Sequence, residues 1–179
     1  MSTPLPPALV TFVAADQRRL QAVAYTLTGN RSDAEDLLQE TLLRLVRAWD
    51  RIDGRGAAGY AATIMWRLHR RHRMTDRVLH RVPDLPSHAD HVESTDTRLV
   101  LRAAVTSLPP RQRAVIALRY LCDMTEQQTA DALGCSVGTV KSQCAKAFAT
   151  LRTRLDAPLA SDRRSPSPQP SPNTEARNA

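Results

Sequence analysis

Residues 125–152, TEQQTADALGCSVGTVKSQCAKAFATLR, contain two short helical segments separated by a sharp turn. Thr125 followed by Gln128 is the pattern of a capping box at a helix N-terminus, and Gly134 suits the left-handed position that ends a helix. Ser136 is the predicted N-cap of the next helix, which leaves about three residues between the two helices. This spacing is typical of a helix-turn-helix.

The second of these helices carries one apolar stripe, and the stripe fixes the side that points outward. Members of the predicted buried stripe are Val140, Cys144, Ala147, Phe148 and Leu151. Small and polar residues lie outward, namely Gly138, Thr139, Ser142, Ala145, Lys146 and Ala149, with Lys141 and Gln143 on the flanks. Such a face can approach a DNA groove closely and donate to base edges or phosphates. A plain helical hairpin would show the same stripe, so periodicity alone leaves both interpretations open.

The composition of the whole 179-residue chain favours helices, because aromatic residues make up only 4% and only 6 residues are Gly. Ala, Leu and Arg, which are strong helix formers, are abundant. The sequence therefore predicts an all-α protein with two small helical domains, over residues 9–75 and 98–155. A flexible linker over 76–97 and a disordered Ser/Pro-rich tail over 156–179 complete the predicted organisation.

The net charge of +7 is unevenly distributed. Residues 54–82 and 98–155 each carry +6, and residues 83–97 between them carry −4. Arginines often only solvate helix faces, but two separate basic blocks beside patterned segments favour contact with a polyanion at two places.

A helix in the first domain has a polar face without an evident partner. Ser32 and Glu35 form a candidate capping box at its start. Its predicted buried stripe is Leu38, Leu42, Leu45, Val46 and Trp49, and the opposite side carries Asp36, Gln39, Glu40, Leu43 and Arg47. No His or Cys on that side joins the carboxylates, so the pattern indicates a solvated or partner-binding face rather than a metal or acid–base site.

The next predicted helix, residues 60–74, is basic in its C-terminal half. This half carries the arginines Arg67, Arg70, Arg71 and Arg73 and the histidines His69 and His72. The aromatic residues Tyr60 and Trp66 are nearby. Cations beside rings that can stack on an unpaired base are typical of single-stranded nucleic acid binding. Trp66 could equally be a core residue. The two histidines are interpreted as part of the basic face, since no third metal ligand is in register.

The three cysteines, Cys122, Cys135 and Cys144, have spacings that fit no usual zinc site, so they are interpreted as small apolar fillers. We predict no metal, no cofactor and no catalytic residue. The sequence also has neither a secretory signal nor an apolar run long enough to cross a membrane, and a cytoplasmic protein is expected.

Three motifs together resemble the bacterial sigma-70 family of RNA polymerase sigma factors, in the extracytoplasmic-function group and its SigE-type subfamily. They are AEDLLQETLLR at 34–44, LPPRQRAVIALRY at 108–120 and GCSVGTVKSQ at 134–143. The resemblance extends from Leu9 to Leu155 except for the spacer. It implies that the two domains are sigma region 2, a helical bundle, and sigma region 4, which contains the helix-turn-helix.

The resemblance also implies residue roles and partners. Residues matching the site that docks on the β′ clamp helices of core RNA polymerase are Asp36, Gln39 and Glu40. Those matching the reader of the minus-thirty-five element are Arg119, Thr139, Lys141, Ser142, Gln143 and Lys146. Those matching the part of the family that recognises the minus-ten element are Tyr60, Trp66, Arg67, Arg70, Arg71 and Arg73. At the position of Arg67 many relatives of the family have Asn. Core polymerase, including its β flap, and promoter DNA are the expected partners, and an anti-sigma factor is a further candidate. The alternative function is a helix-turn-helix regulator that acts without core polymerase.

Overall fold

The computed structural model describes residues 5–52, 56–80 and 97–161, and all regular structure within them is helical. The helices are α1 (Pro7–Thr28), α2 (Arg31–Ala48), α3 (Ala57–His80), α4 (Thr97–Thr106), α5 (Pro110–Ile116), α6 (Glu126–Leu133) and α7 (Val137–Ser161). A 3-10 turn, Trp49–Arg51, follows α2, and a π-helical segment, Ala117–Leu121, continues α5. The predicted all-α class is confirmed. Helix α3 continues into the predicted linker, whose residues 81–96 lie outside the described residues, as does the tail from residue 162.

The turn between α1 and α2 starts at Gly29, whose φ of 86° is in the left-handed region and whose N–H donates to the Tyr25 carbonyl at 2.8 Å. The N-cap of α2 is Asn30, because its side-chain oxygen accepts from the Asp33 N–H at 2.8 Å. The predicted capping box of Ser32 is therefore wrong. The left-handed glycine leaves Asn30 extended and Ser32 already inside the first helical turn, where its hydroxyl does not cap.

The buried stripe of α2 is rotated from the predicted one. Its members are Ala34, Leu37, Thr41, Leu45 and Ala48. Of the predicted stripe, Leu45 is buried, Leu38, Leu42 and Trp49 are half-buried, and Val46 is exposed. Helix α2 packs against both α1 and α3. Trp49 lies in the 3-10 turn, with its ring centroid 5.6 Å from that of Phe12.

The second unit, α4 to α7, has two apolar clusters of its own. One consists of Ala104, Leu108, Ile116, Ala147 and Leu151, and the other of Val115, Ala130 and Val140. Pro110 begins α5, a position where its missing N–H is not needed for an intrahelical bond.

The two predicted helical units also contact each other, which the sequence does not predict. One cluster, here called the shared core, includes Leu20, Val23 and Met65 of the first unit and Leu118 and Met124 of the second. At the surface of this junction, the Arg102 guanidinium of α4 lies 5.3 Å from the centre of the Tyr25 ring of α1.

Candidate nucleic-acid interface

The first helix of the predicted helix-turn-helix is α6, and it begins at a complete capping box. The Gln128 N–H donates to Thr125 Oγ1 at 3.1 Å, and the Thr125 N–H donates to Gln128 Oε1 at 2.8 Å. The helix ends at Gly134, whose φ of 64° is left-handed. The next N–H, that of Cys135, donates to the Ala130 carbonyl at 3.0 Å. Both ends of α6 are thus as predicted.

Helix α7 starts after the three-residue turn, capped by Ser136, whose hydroxyl accepts from the Thr139 N–H at 3.1 Å. Val140 of α7 packs with Ala130 of α6 and Val115 of α5. This packing fixes the two helices as a helix-turn-helix, which confirms the prediction.

Two members of the predicted buried stripe of α7 are not fully buried. Phe148 is 45% exposed, and its ring meets that of Tyr120 edge-on, with centroids 5.2 Å apart. Cys144 is half-buried beneath this pair, with its Sγ 3.2 Å from the Tyr120 hydroxyl. The stripe is narrower than predicted, and at its edge Phe148 packs on Tyr120, which is itself exposed.

The outward face of α7 is largely exposed to solvent. Ser142 and Lys146 are exposed, together with the small residues Gly138, Ala145 and Ala149. Thr139 and Gln143 are half-buried at the edge of this face. Lys141 is exposed and its ammonium lies 3.5 Å from the Glu126 carboxylate.

Arg119, the remaining predicted contact of the second unit, is half-buried. Its guanidinium donates a hydrogen bond to the Met124 carbonyl and lies 5.9 Å from the centre of the Tyr120 ring. The side chain therefore supports the loop before α6.

The basic face of α3 contains most of the predicted cations. Arg67, Arg70 and Arg71 are exposed, Arg73 is half-buried, and Tyr60 is exposed. Trp66 is only 6% exposed and belongs to the shared core. The sequence left open whether Trp66 stacks on a base or packs in the core, and the structure supports packing in the core.

His69 does not belong to the basic face, so that prediction is wrong. Its side chain points inward and is 9% exposed. Burial, reinforced by the charge of Arg113, lowers the pKa of His69 to about 4, and the imidazole is neutral at pH 7. Arg113 is also buried, and desolvation lowers its pKa to about 10. His72 is the histidine that stays exposed on the basic face.

The predicted partner-binding face of α2 is only partly free. Asp36 and Gln39 are exposed. Glu40 is half-buried, and its carboxylate accepts from Arg44 at 2.7 Å. It also lies 3.1 Å from the Arg71 guanidinium and 3.2 Å from His72 Nε2, both on α3.

These cations determine the ionisation of Glu40. Partial burial opposes its charge, but the hydrogen bond from Arg44 and the surrounding positive charges outweigh burial and lower the pKa. Glu40 therefore ties α2 to the basic face of α3. Sequence periodicity could not detect this, because the contact joins residues 31 positions apart.

The sequence also underestimates the apolar character of this face. Leu43, one turn beyond Gln39, is 63% exposed, and Val46 is exposed beside it. The outward leucine within a polar stripe is the signal that could have identified an apolar contact point.

Comparisons with known proteins match both units. The family model described as "Sigma-70 region 2" matches residues 12–78, and the one described as "Sigma-70, region 4" matches residues 98–151. The RNA polymerase sigma-E factor of Streptomyces avermitilis is 35% identical over 154 residues, which cover 82% of this chain and 84% of that protein. The ECF RNA polymerase sigma factor EcfG of Rhodopseudomonas palustris is 31% identical, with 87% of each chain covered. The chain belongs to the extracytoplasmic-function sigma factors.

Two solved structures share the fold. The sigma factor RpoE of Bartonella quintana, in complex with the anti-sigma factor NepR, aligns with a TM-score of 0.65 at 22% identity, covering 82% of this chain and 96% of that one. CnrH, in complex with the cytosolic domain of CnrY, aligns with a TM-score of 0.53 at 22% identity, covering 83% and 88%.

The family gives the sigma factor its function, which is to direct RNA polymerase to promoters and start transcription. The helix-turn-helix belongs to region 4 and the basic α3 to region 2. Within the described ranges, no helix is long and apolar enough to span a membrane.

Proposed function

We propose a division of labour among three surfaces of this sigma factor: α7 reads the minus-thirty-five element, α3 engages the minus-ten element, and the exposed face of α2 docks on core polymerase. The observation that carries this proposal is the helix-turn-helix, whose second helix presents small and polar residues outward. A helix of this kind fits the major groove of duplex DNA.

On α7, Lys146 and Ser142 are the proposed base-reading residues, because their side chains project from the exposed face. Gln143 and Thr139 stand at its edge and complete the reading set. Lys141, on the flank, is suited to a phosphate. Arg119 is the sixth proposed contact, and it is proposed to bind the DNA backbone; its guanidinium lies beside the Tyr120 ring, which itself packs on Phe148 of α7.

On α3, the proposed contacts are phosphate-binding arginines and stacking rings. Arginine cations that neutralise phosphates supply sequence-independent affinity, and rings can hold an unstacked base. The residues are Arg67, Arg70, Arg71 and Arg73, with Tyr60 and Trp66 as the rings. Because Trp66 is covered by region 4, its contact with DNA requires the two regions to separate.

On α2, Asp36 and Gln39 are the proposed polar contacts with the β′ clamp helices, and the exposed Leu43 supplies an apolar one. Glu40 is proposed to act at the edge of this surface while it holds Arg71 and His72 in place. Region 4 is proposed to contact the β flap of polymerase.

An anti-sigma factor is a further proposed partner. The sigma factor RpoE, which shares the fold, has been solved in complex with the anti-sigma factor NepR. We also infer that this chain lacks a catalytic centre and acts in the cytoplasm, since the relatives are promoter-recognition subunits and work where polymerase meets the chromosome.

The proposal is tested by reconstituting the purified chain with core polymerase on a library of genomic promoter fragments. Initiation from a defined set of start sites that share two sequence elements is expected. Absence of sequence-specific initiation would overturn the proposal. Tight binding of the isolated chain to an operator, with no association with polymerase, would instead favour a regulator that acts without polymerase.

A further inference from the structure

Helices α1, α2 and α4 line a cavity of about 420 Å³, here called the arginine cavity because Arg18 of α1, Arg31 of α2 and Arg102 of α4 take part in its wall. Its volume is within the range of about 300–1,000 Å³ that is usual for small-molecule sites. None of the three surfaces proposed for promoter DNA and core polymerase includes these arginines. The arginine cavity is therefore a candidate site for a separate ligand.

Positive charge is in excess in the arginine cavity. Glu35 is the one carboxylate among its lining residues, and its Oε1 already pairs with Arg31 Nε at 2.8 Å. Within the part of the chain that the structure describes, no carboxylate forms an ion pair with Arg18 or Arg102. Guanidinium groups bind phosphate through two parallel hydrogen bonds, so these two arginines are suited to a phosphorylated ligand.

The lining of the arginine cavity also has an apolar part. Ala22 and Ala34 contribute short side chains, and Leu38 and the Tyr25 ring stand beside them. Ala34 is buried, whereas the other three are half-buried and leave apolar surface towards the cavity. Apolar and aromatic surface of this kind can cover a planar ring.

Arg102 is held at the cavity before any ligand binds. Its guanidinium lies 5.3 Å from the centre of the Tyr25 ring, which is within the range of a cation–π contact. A side chain that is already positioned loses less freedom when it binds a ligand. The phosphate-binding and ring-covering parts of the cavity are therefore joined at Tyr25.

The two parts of the lining together restrict the class of ligand. An inorganic phosphate would use the arginines and leave the apolar part uncovered. An uncharged ring would cover the apolar part and leave Arg18 and Arg102 without an anion. A nucleotide, which carries a planar base and phosphates in one molecule, uses both parts.

We propose that the arginine cavity binds a nucleoside diphosphate, with its phosphates on Arg18 and Arg102 and its base against the apolar lining beside Tyr25. This ligand site is additional to promoter recognition and does not depend on it. Arg102 belongs to region 4, whereas the rest of the lining belongs to region 2. The bound nucleotide therefore contacts both regions and stabilises the native chain by mass action.

The proposal is tested by calorimetric titration of the purified full chain without Mg²⁺, at about 0.15 M salt so that exposed charges are screened. The probes are ADP, GDP, CDP and UDP, because the lining does not select one base. Inorganic pyrophosphate and the corresponding nucleosides present the anion and the ring separately. At least one nucleoside diphosphate is expected to bind roughly tenfold more tightly than either of its parts, because only the whole molecule uses both parts of the lining.

Charge variants test the phosphate-binding arginines. Arg18→Gln and Arg102→Gln should each weaken nucleotide binding by roughly tenfold, since each removes a charge-assisted hydrogen bond. The matched control is Arg152→Gln, which removes the same charge from an exposed position of α7 outside the cavity and should bind as the wild type does. The nucleotide should also raise the melting temperature of the wild type and of Arg152→Gln, but not that of Arg102→Gln.

A filling variant tests the ring-covering part. Ala22→Leu places a larger side chain in the apolar lining, and Leu is a strong helix former, so α1 is retained. This variant should lose affinity for the nucleoside diphosphate and keep its affinity for pyrophosphate.

Three results would overturn the proposal. One is the absence of binding by all four nucleoside diphosphates at about 1 mM. Another is equal weakening by Arg152→Gln and Arg102→Gln, which would indicate non-specific attraction to a basic chain. The third is pyrophosphate binding as tight as that of the nucleotides, which would indicate an anion site that does not recognise a base. Initiation at promoters is measured separately, so each of these results leaves the proposed function standing.

Discussion

His69 shows how one buried side chain can link stability to pH. Burial comes first among the causes that lower its pKa from 6.5 to about 4, followed by the charges of Arg113, Arg73 and His72, while Asp33 acts in the opposite direction. In the unfolded chain the imidazole is protonated below about pH 6.5, whereas in the native chain it is protonated only below about pH 4. Stability must therefore fall as the pH drops through this window.

We expect His69 to contribute a loss of about 3 kcal/mol in the free energy of unfolding between pH 6.5 and pH 4. Urea unfolding of the wild type and of His69→Leu at several pH values isolates this contribution, because Leu does not titrate and suits a buried site. Equal slopes for the wild type and His69→Leu would contradict the prediction.

The two lysines of α7 are expected to differ in what they recognise. Lys146→Ala should cost about 1–3 kcal/mol at one base pair of the minus-thirty-five element, since Lys146 lies on the exposed face of α7 proposed to read bases. Lys141→Ala should weaken binding equally for all sequences and reduce the salt slope by about 1, as expected for a phosphate contact. Titration of each variant against duplexes with single base-pair changes distinguishes the two patterns. A uniform loss for Lys146→Ala would remove it from the base-reading set.

At the scale of the element, the helix-turn-helix depends on the left-handed Gly134. No atom lies within 4 Å of a Cβ built there, so Gly134→Ala should be destabilising only through its backbone, by about 1–2 kcal/mol. Gly138→Ala in the first turn of α7 is the control, because its backbone φ is not left-handed. That substitution should raise stability by about 0.5–1 kcal/mol. Thermal unfolding checks both, and similar melting temperatures would show that the turn tolerates Ala.

The polar face of α2 is expected to separate two roles. The double variant Asp36→Ala with Gln39→Ala should weaken core polymerase binding and leave binding to a minus-thirty-five duplex unchanged, because both side chains are exposed on α2 and the proposed duplex contacts lie in region 4. Glu40→Gln should in addition weaken the ion pairs that join α2 to Arg71 and His72 of α3. The expected cost in the free energy of unfolding is about 1 kcal/mol or less, because the paired side chains are partly exposed. Polymerase pull-down and duplex anisotropy measure the two activities. Loss of duplex binding in the double variant would contradict separate surfaces.

At the scale of the whole molecule, the shared core makes the two regions depend on each other for stability. Leu118 of region 4 is fully buried in that core, whereas Leu151 lies in a cluster within region 4. Each Leu→Ala change should cost about 2–5 kcal/mol. Leu118→Ala should reduce hydrogen-exchange protection in α1 and α3 as well as in region 4, while Leu151→Ala should affect region 4 alone. Protection of α1 unchanged by Leu118→Ala would show that the regions are stable independently.

Local signals in the sequence were sufficient for the helix-turn-helix. Thr125, Gln128, Gly134 and Ser136 each act on backbone groups within a few residues, so their spacing alone predicts both helix ends. The same reasoning failed at Ser32, where two capping residues compete and the left-handed Gly29 decides in favour of Asn30. Cap patterns are thus reliable where a single candidate precedes the helix.

By itself the sequence determined the helical class, the helix-turn-helix, the family and the outward face of α7, because these follow from composition and from interactions between near neighbours along the chain. Only the tertiary structure decided that Trp66 and His69 are buried, that Glu40 holds α3, and that region 4 packs against region 2. Those outcomes depend on which helix faces meet, and the free energy of burial comes from partners distant in sequence, which no periodicity within a single helix encodes.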